Sequence, residues 1–155
     1  MTSPDQALAR MQLAAALWSV EGANAAELVD AACDLLVAGH DGVDLAILAG
    51  VMRKHADDEA PALLAAALRD VGLEPFEPDA HEAQAIVVRH LAGKVLTGEL
   101  KPDAFVWRAA WTCPDFAERL VALGEEYLSP NGRPVQQIDA DVLGEAHVLA
   151  SPDGT

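Results

Sequence analysis

Asp79-Ala80-His81-Glu82-Ala83-Gln84-Ala85-Ile86-Val87-Val88-Arg89-His90-Leu91-Ala92-Gly93-Lys94-Val95-Leu96-Thr97-Gly98 is the stretch that decides the fold. Asp79 and Glu82 have the spacing of a helix cap and its third-position carboxylate. Ala83, Ile86, Val87, His90, Leu91 and Val95 then recur every three or four residues, which aligns them on one face of a helix. Gly98 stands where a helix stops, because glycine accepts the left-handed conformation that ends one. A strand would need strict apolar/polar alternation, and that is nearly absent here.

The same grammar runs outward in both directions. Ser3-Pro4 predicts a start, a cap followed by proline in the first turn, with Leu8, Met11, Ala15 and Trp18 as the stripe and Gly22 as the stop. Asn24 with Glu27 predicts a capping-box-like start for a helix carrying Leu28, Ala32, Leu35 and Leu36 and ending at Gly39. Residues 40–50 predict one or two helical turns around Leu45, Ile47 and Leu48, capped by Asp41 or Asp44. Asp57 or Asp58 is expected to cap the next helix, with Pro61 in its first turn and Leu64, Ala67, Leu68 and Val71 buried. Residues 72–78, with Pro75 and Pro78, form a connector. Pro102 opens a helix with Phe105, Ala109 and Cys113 on one face. Pro114 opens another, carrying Phe116, Leu120, Leu123 and Tyr127. After the turn cluster Ser129-Pro130-Asn131-Gly132-Arg133-Pro134, Val135-Gln136-Gln137-Ile138 reads as a brief strand. Asp139 is expected to cap a last helix with Val142, Leu143 and Ala146 inside. The expected fold is therefore all-α: a compact bundle of six or seven helices, one domain over residues 1–150, a short irregular C-terminal segment, and a frayed tail over 151–155.

Composition agrees. The chain has 155 residues, 52% apolar but only 5% aromatic, which favours closely packed, alanine-rich helices over a sandwich or barrel. It carries 25 Asp+Glu against 10 Lys+Arg, a formal net charge of −15. Such a surface repels nucleic acid and anionic membrane, and attracts a basic protein partner. The plainer account is that the acidity keeps the protein soluble. Met1-Thr2-Ser3-Pro4-Asp5 lacks the basic start of a signal peptide, no apolar run approaches the ~20 residues of a membrane span, and Cys33 and Cys113 read as reduced core thiols. The expected setting is cytoplasmic.

Few residues suggest chemistry. His55-Ala56-Asp57-Asp58-Glu59 gathers carboxylates beside a histidine, but adjacent helical residues point in different directions, and a helix N-terminus accounts for them. His81-Glu82 begins like a zinc motif, yet the next histidine, His90, is nine residues on from His81 instead of four. No catalytic residue, metal site or cofactor is assigned, and enzymatic activity is not favoured. His90, on the apolar stripe, reads as a hydrogen-bonded core residue or as the polar group of a pocket. Trp107, Arg108 and Trp111 are the candidate interface. The two indoles lie four residues apart, offset from the face of Phe105 and Ala109, and aromatics beside arginine are typical of interface hot spots. The competing account places both indoles in the core, filling space that alanine leaves.

Ala38-Gly39-His40-Asp41-Gly42-Val43-Asp44-Leu45-Ala46-Ile47-Leu48-Ala49-Gly50 resembles a run in an uncharacterised family of small, acidic, all-helical bacterial proteins, mostly actinobacterial. In these a helix ends in glycine, a short Asp-containing turn follows, and Leu-x-x-Leu-Ala-Gly comes next. The Pro-rich connector, Leu96-Thr97-Gly98-Glu99-Leu100-Lys101-Pro102 and the Trp-containing helix extend the likeness over residues 10–125. It implies an all-helical fold and brings no function. The family's Ser or Thr and Leu-Arg near the short turn are replaced here by Val43-Asp44-Leu45-Ala46.

Three functions compete on these grounds. The first is an acidic protein–protein interaction module, of immunity or regulatory type, for a basic partner. The second is a small-molecule binder or enzyme with a cavity between alanine-rich helices. The third is a structural homo-oligomer subunit.

Overall fold

The computed structural model describes residues 3–128 and 132–151. Regular structure there is entirely helical: α1 (Pro4–Glu21), α2 (Ala25–Val37), α3 (Val43–Ala49), α4 (Ala56–Asp70), α5 (His81–Leu96), α6 (Pro102–Thr112), α7 (Ala117–Leu128) and α8 (Val135–Ala150). Short 3₁₀ turns at Arg53–His55 and Pro114–Phe116 lead into α4 and α7. The all-α expectation holds, with eight helices among the described residues instead of six or seven. None of them is long and apolar enough to cross a membrane. The chain divides into two compact units, Met1–Ala83 and Gln84–Thr155. The chain start Met1-Thr2, the turn residues Ser129, Pro130 and Asn131, and the tail beyond Ser151 lie outside the described residues.

In the first unit, α1 begins as expected. The Ser3 hydroxyl accepts the Gln6 amide at 3.2 Å and the Gln6 side chain accepts the Ser3 amide at 3.0 Å, a reciprocal cap. α2 packs on α1, α3 and α4, around fully buried Met11, Leu28, Leu35, Leu45, Leu48 and Leu68 with alanines between them. Arg10 on α1 pairs with Glu27 and Asp34 on α2, and Arg53 pairs with Asp30. The glycine stops behave as predicted: the amides of Gly39 and His40 close on Leu36 and Leu35, and those of Gly72 and Leu73 on Arg69 and Leu68. Both are paired closures around a left-handed glycine.

Three caps differ from expectation. Asn24 sits at the start of α2 but is left-handed and makes no side-chain cap, so no capping box forms with Glu27. α4 starts at Ala56, which puts Asp57 and Asp58 inside its first turn and Pro61 beyond that turn. Neither Asp41 nor Asp44 caps α3. Its cap comes from Asp70 at the end of α4, whose Oδ2 accepts the Leu45 amide at 3.0 Å. Gly42 makes this approach possible: at φ 150° a Cβ there would lie 2.4 Å from that oxygen.

In the second unit, α5 ends at Gly98 by the same paired closure, Gly98 on Val95 and Glu99 on Lys94. Its buried residues are Ala83, Gln84, Val87, Val88, Leu91, Ala92 and Val95. Ile86 and His90, expected inside, are only half-buried. Gln84 is polar yet 2% exposed, and its Oε1 accepts the Asp115 amide at 2.9 Å. α6, α7 and α8 pack on one another around Phe105, Leu120, Leu123, Ile138 and Val142. Arg133 joins Glu126 at 2.7 Å to Asp141 at 2.6 Å. Val135-Gln136-Gln137-Ile138 is the first turn of α8, not a strand. Ile138, Val142 and Ala146 are all fully buried and form a continuous four-residue stripe that outweighs local β preference. Asp139 is consequently inside the helix and accepts the Tyr127 hydroxyl instead of capping. Of the two free thiols, Cys113 is buried as expected; Cys33 is exposed, its Sγ 3.4 Å from the Ala49 carbonyl.

Candidate functional site

The indoles of Trp107 and Trp111 are not core fillers. Trp107 is 40% exposed and Trp111 89%, while Phe105, Val106 and Ala109 on the other side of α6 are fully buried. The offset between the two faces is the one the spacing predicted. Exposure follows from what α7 presents to α6. Gly124 is buried in the middle of α7, and a Cβ there would come within 2.9 Å of Trp107 Cζ2 and Cη2 and 3.0 Å of Val106 Cγ1. A glycine inside a helix costs about 1 kcal/mol relative to alanine. Here it provides the shelf against which the far edge of the Trp107 ring rests. Trp111, one turn further along α6, projects outward.

Beside the ridge is a groove of about 580 Å³ lined by Lys101, Asp103, Trp107, Leu128, Val135 and the Tyr127–Asp139 pair, among others. Leu128 and Val135 are themselves 74% and 54% exposed. Burial and the bond donated to Asp139 raise the Tyr127 pKa well above the ordinary phenol value, so Tyr127 is a neutral tie between α7 and α8. Arg108 is half-buried, and its carbonyl accepts the Thr112 hydroxyl at 2.7 Å. Sequence reasoning located the ridge but missed the groove. Leu128 and Val135 flank a turn cluster, and no periodicity links them to Trp107.

His90 occupies a different setting from the one expected. It lines a shallow, open depression with Arg89, Gly93, Lys94, Thr97 and Glu99, where no large apolar side chain forms the walls that an enclosed ligand site needs. Among the described residues, no three His, Cys, Asp or Glu side chains are grouped to hold a metal ion. His55, Asp57, Asp58 and Glu59 fan around the start of α4.

An apolar recess is found in the first unit. It measures about 350 Å³ and lies between the last turns of α1, the middle of α4 and the connector, with Trp18, Leu64 and Phe76 among its walls. Trp18 reads in sequence as one more stripe residue and Phe76 as part of a linker, so nothing local announces the recess. Compared with family models, with curated proteins and with solved structures, the chain matches none.

Proposed function

We propose that the chain is an acidic helical interaction module, of immunity or regulatory type, that docks a basic protein partner through Trp107 and Trp111 in the cytoplasm. One observation carries this reading: an indole 89% exposed stands beside a second that is 40% exposed, next to Leu128 at 74%. Clustered apolar exposure of this kind marks contact surfaces, and tryptophan dominates their binding energy. The net charge of −15 selects a basic partner and speeds encounter with it.

The test is paired affinity capture from source cells, with wild type and a Trp107→Ala/Trp111→Ala variant as baits, followed by titration with the purified partner. The double variant is expected to bind at least roughly thirtyfold more weakly, about 2 kcal/mol. Wild-type affinity is expected to fall with salt, since exposed charges are screened beyond about 8 Å at physiological ionic strength. A partner held equally by both baits would overturn the reading. So would retention of nothing but further copies of the chain itself, which would point to the homo-oligomer instead.

A further inference from the structure

The recess of the first unit has no cationic side chain in its lining and lies at the carbonyl end of a helix. Trp18, Ser19 and Gly22 come from the C-terminal end of α1. The last carbonyls of a helix carry its partial negative charge, and α1 has no basic residue in its last turn to offset it. Pro61, Pro75 and Pro78 also line the recess, and proline has no amide hydrogen to donate. Ser19 and the Trp18 indole N–H are the polar side-chain groups of the lining, and the Ser19 proton is already given to the Glu77 carbonyl at 2.9 Å, which latches the connector to α1. The hydroxyl oxygen retains only acceptor capacity. The surrounding field has the same sign: residues 1–83 contain fifteen Asp or Glu and four Lys or Arg, a net of −11.

The walls themselves are apolar and aromatic. Trp18 and Phe76 are both half-buried and line the recess, and an aromatic face attracts a cation. Its 350 Å³ falls at the small end of ligand pockets.

From these observations we infer that the recess between α1, α4 and the connector binds small apolar cations, molecules with an aromatic or alkyl body and a primary or quaternary ammonium group. The body packs against Leu64 and Phe76, and the ammonium faces the α1 carbonyls and the Trp18 ring. Carboxylates and phosphates are disfavoured, because no lining residue is cationic and the surrounding charge is negative. This site uses residues that the interaction reading does not, so either can fail alone.

The test uses the whole chain and three probes of one shape: 4-phenylbutylammonium, 4-phenylbutanol and 4-phenylbutyrate. Binding is followed by calorimetry and by the NMR signals of the three indole N–H groups. The ammonium is expected to bind about tenfold or more tighter than the alcohol, to move the Trp18 indole signal and not those of Trp107 and Trp111, and the carboxylate is expected not to bind. Ala65→Phe, on the wall of the recess and half-buried, is expected to abolish binding with the fold retained. If that variant does not fold, the order of the three probes on the wild type still decides. Equal affinity for ammonium and alcohol, saturation by the carboxylate, or no movement of Trp18 would each overturn the proposal.

Discussion

The two units deploy tryptophan in opposite ways. The first, with a net charge of −11, turns Trp18 toward a recess. The second has ten Asp or Glu against six Lys or Arg, a net of −4, and displays Trp107 and Trp111 on its outside. Small residues cause both outcomes. In the first unit Ala15, Ala65 and Gly22 stand where larger side chains would fill the space. In the second, Gly124 makes room for the edge of the Trp107 ring, while Trp111 stands in the open. Glycine and alanine therefore act as hollows in one unit and as a shelf in the other, and the large neighbour decides which.

The strongest way to sharpen this contrast is through the cores. Phe105→Ala is expected to destabilise the second unit by roughly 3–5 kcal/mol and Leu28→Ala the first by roughly 2–5 kcal/mol, both side chains being fully buried. Amide exchange would read each loss in its own helices, α6–α8 and α1–α4. Uniform loss in both variants would erase the distinction between the units.

A smaller effect separates two glycines. Gly42→Ala forces a Cβ against the Asp70 carboxylate and off a backbone that glycine favours, at an expected loss of roughly 2–3 kcal/mol in urea unfolding. Gly124→Ala meets only the far edge of a movable ring and a methyl group of Val106, and gains helix preference. It should stay within about 1 kcal/mol of wild type while the Trp107 indole signal shifts. Equal losses would mean that the shelf is as rigid as the turn.

How much of this could be read from the sequence follows the same line. Ser3-Pro4 and the stops at Gly22, Gly39, Gly72 and Gly98 were legible because a cap or a left-handed turn is decided within a few residues. The Asn24 cap failed because the backbone there turns left-handed and carries the side chain away from the amides. The start of α8 was missed because Val135 and Ile138 look like strand residues until the buried stripe through Val142 and Ala146 is counted. The side of α6 that bears Trp107 was legible, its exposure was not, since Gly124 lies seventeen residues away on another helix. The recess was illegible for the same reason: three segments must meet before it exists.

The smallest expected effect concerns Tyr127, the chain's single tyrosine. Its folded pKa is raised above the ordinary 10.0 by burial first and by the bond to Asp139 second. The sign follows: its contribution is fully present below pH 10 and is lost as pH rises above that value, where the unfolded chain releases the phenol proton and the folded one retains it. Phenolate absorbance of the folded protein should therefore titrate above the unfolded chain, and Tyr127→Phe should remove that part of the alkaline loss. Titration at the same pH in both states would show that Asp139 holds nothing.

Asp70 also sets an order of events. A seven-residue helix such as α3 does not persist alone in water, and the carboxylate that satisfies its Leu45 amide comes from twenty-five residues downstream. During synthesis Val43–Ala49 is therefore polymerised before its own stabiliser. The segment is expected to wait as unstructured chain until α4 is complete, so that a chain cut short before Asp70 leaves the third helix still unwritten in shape.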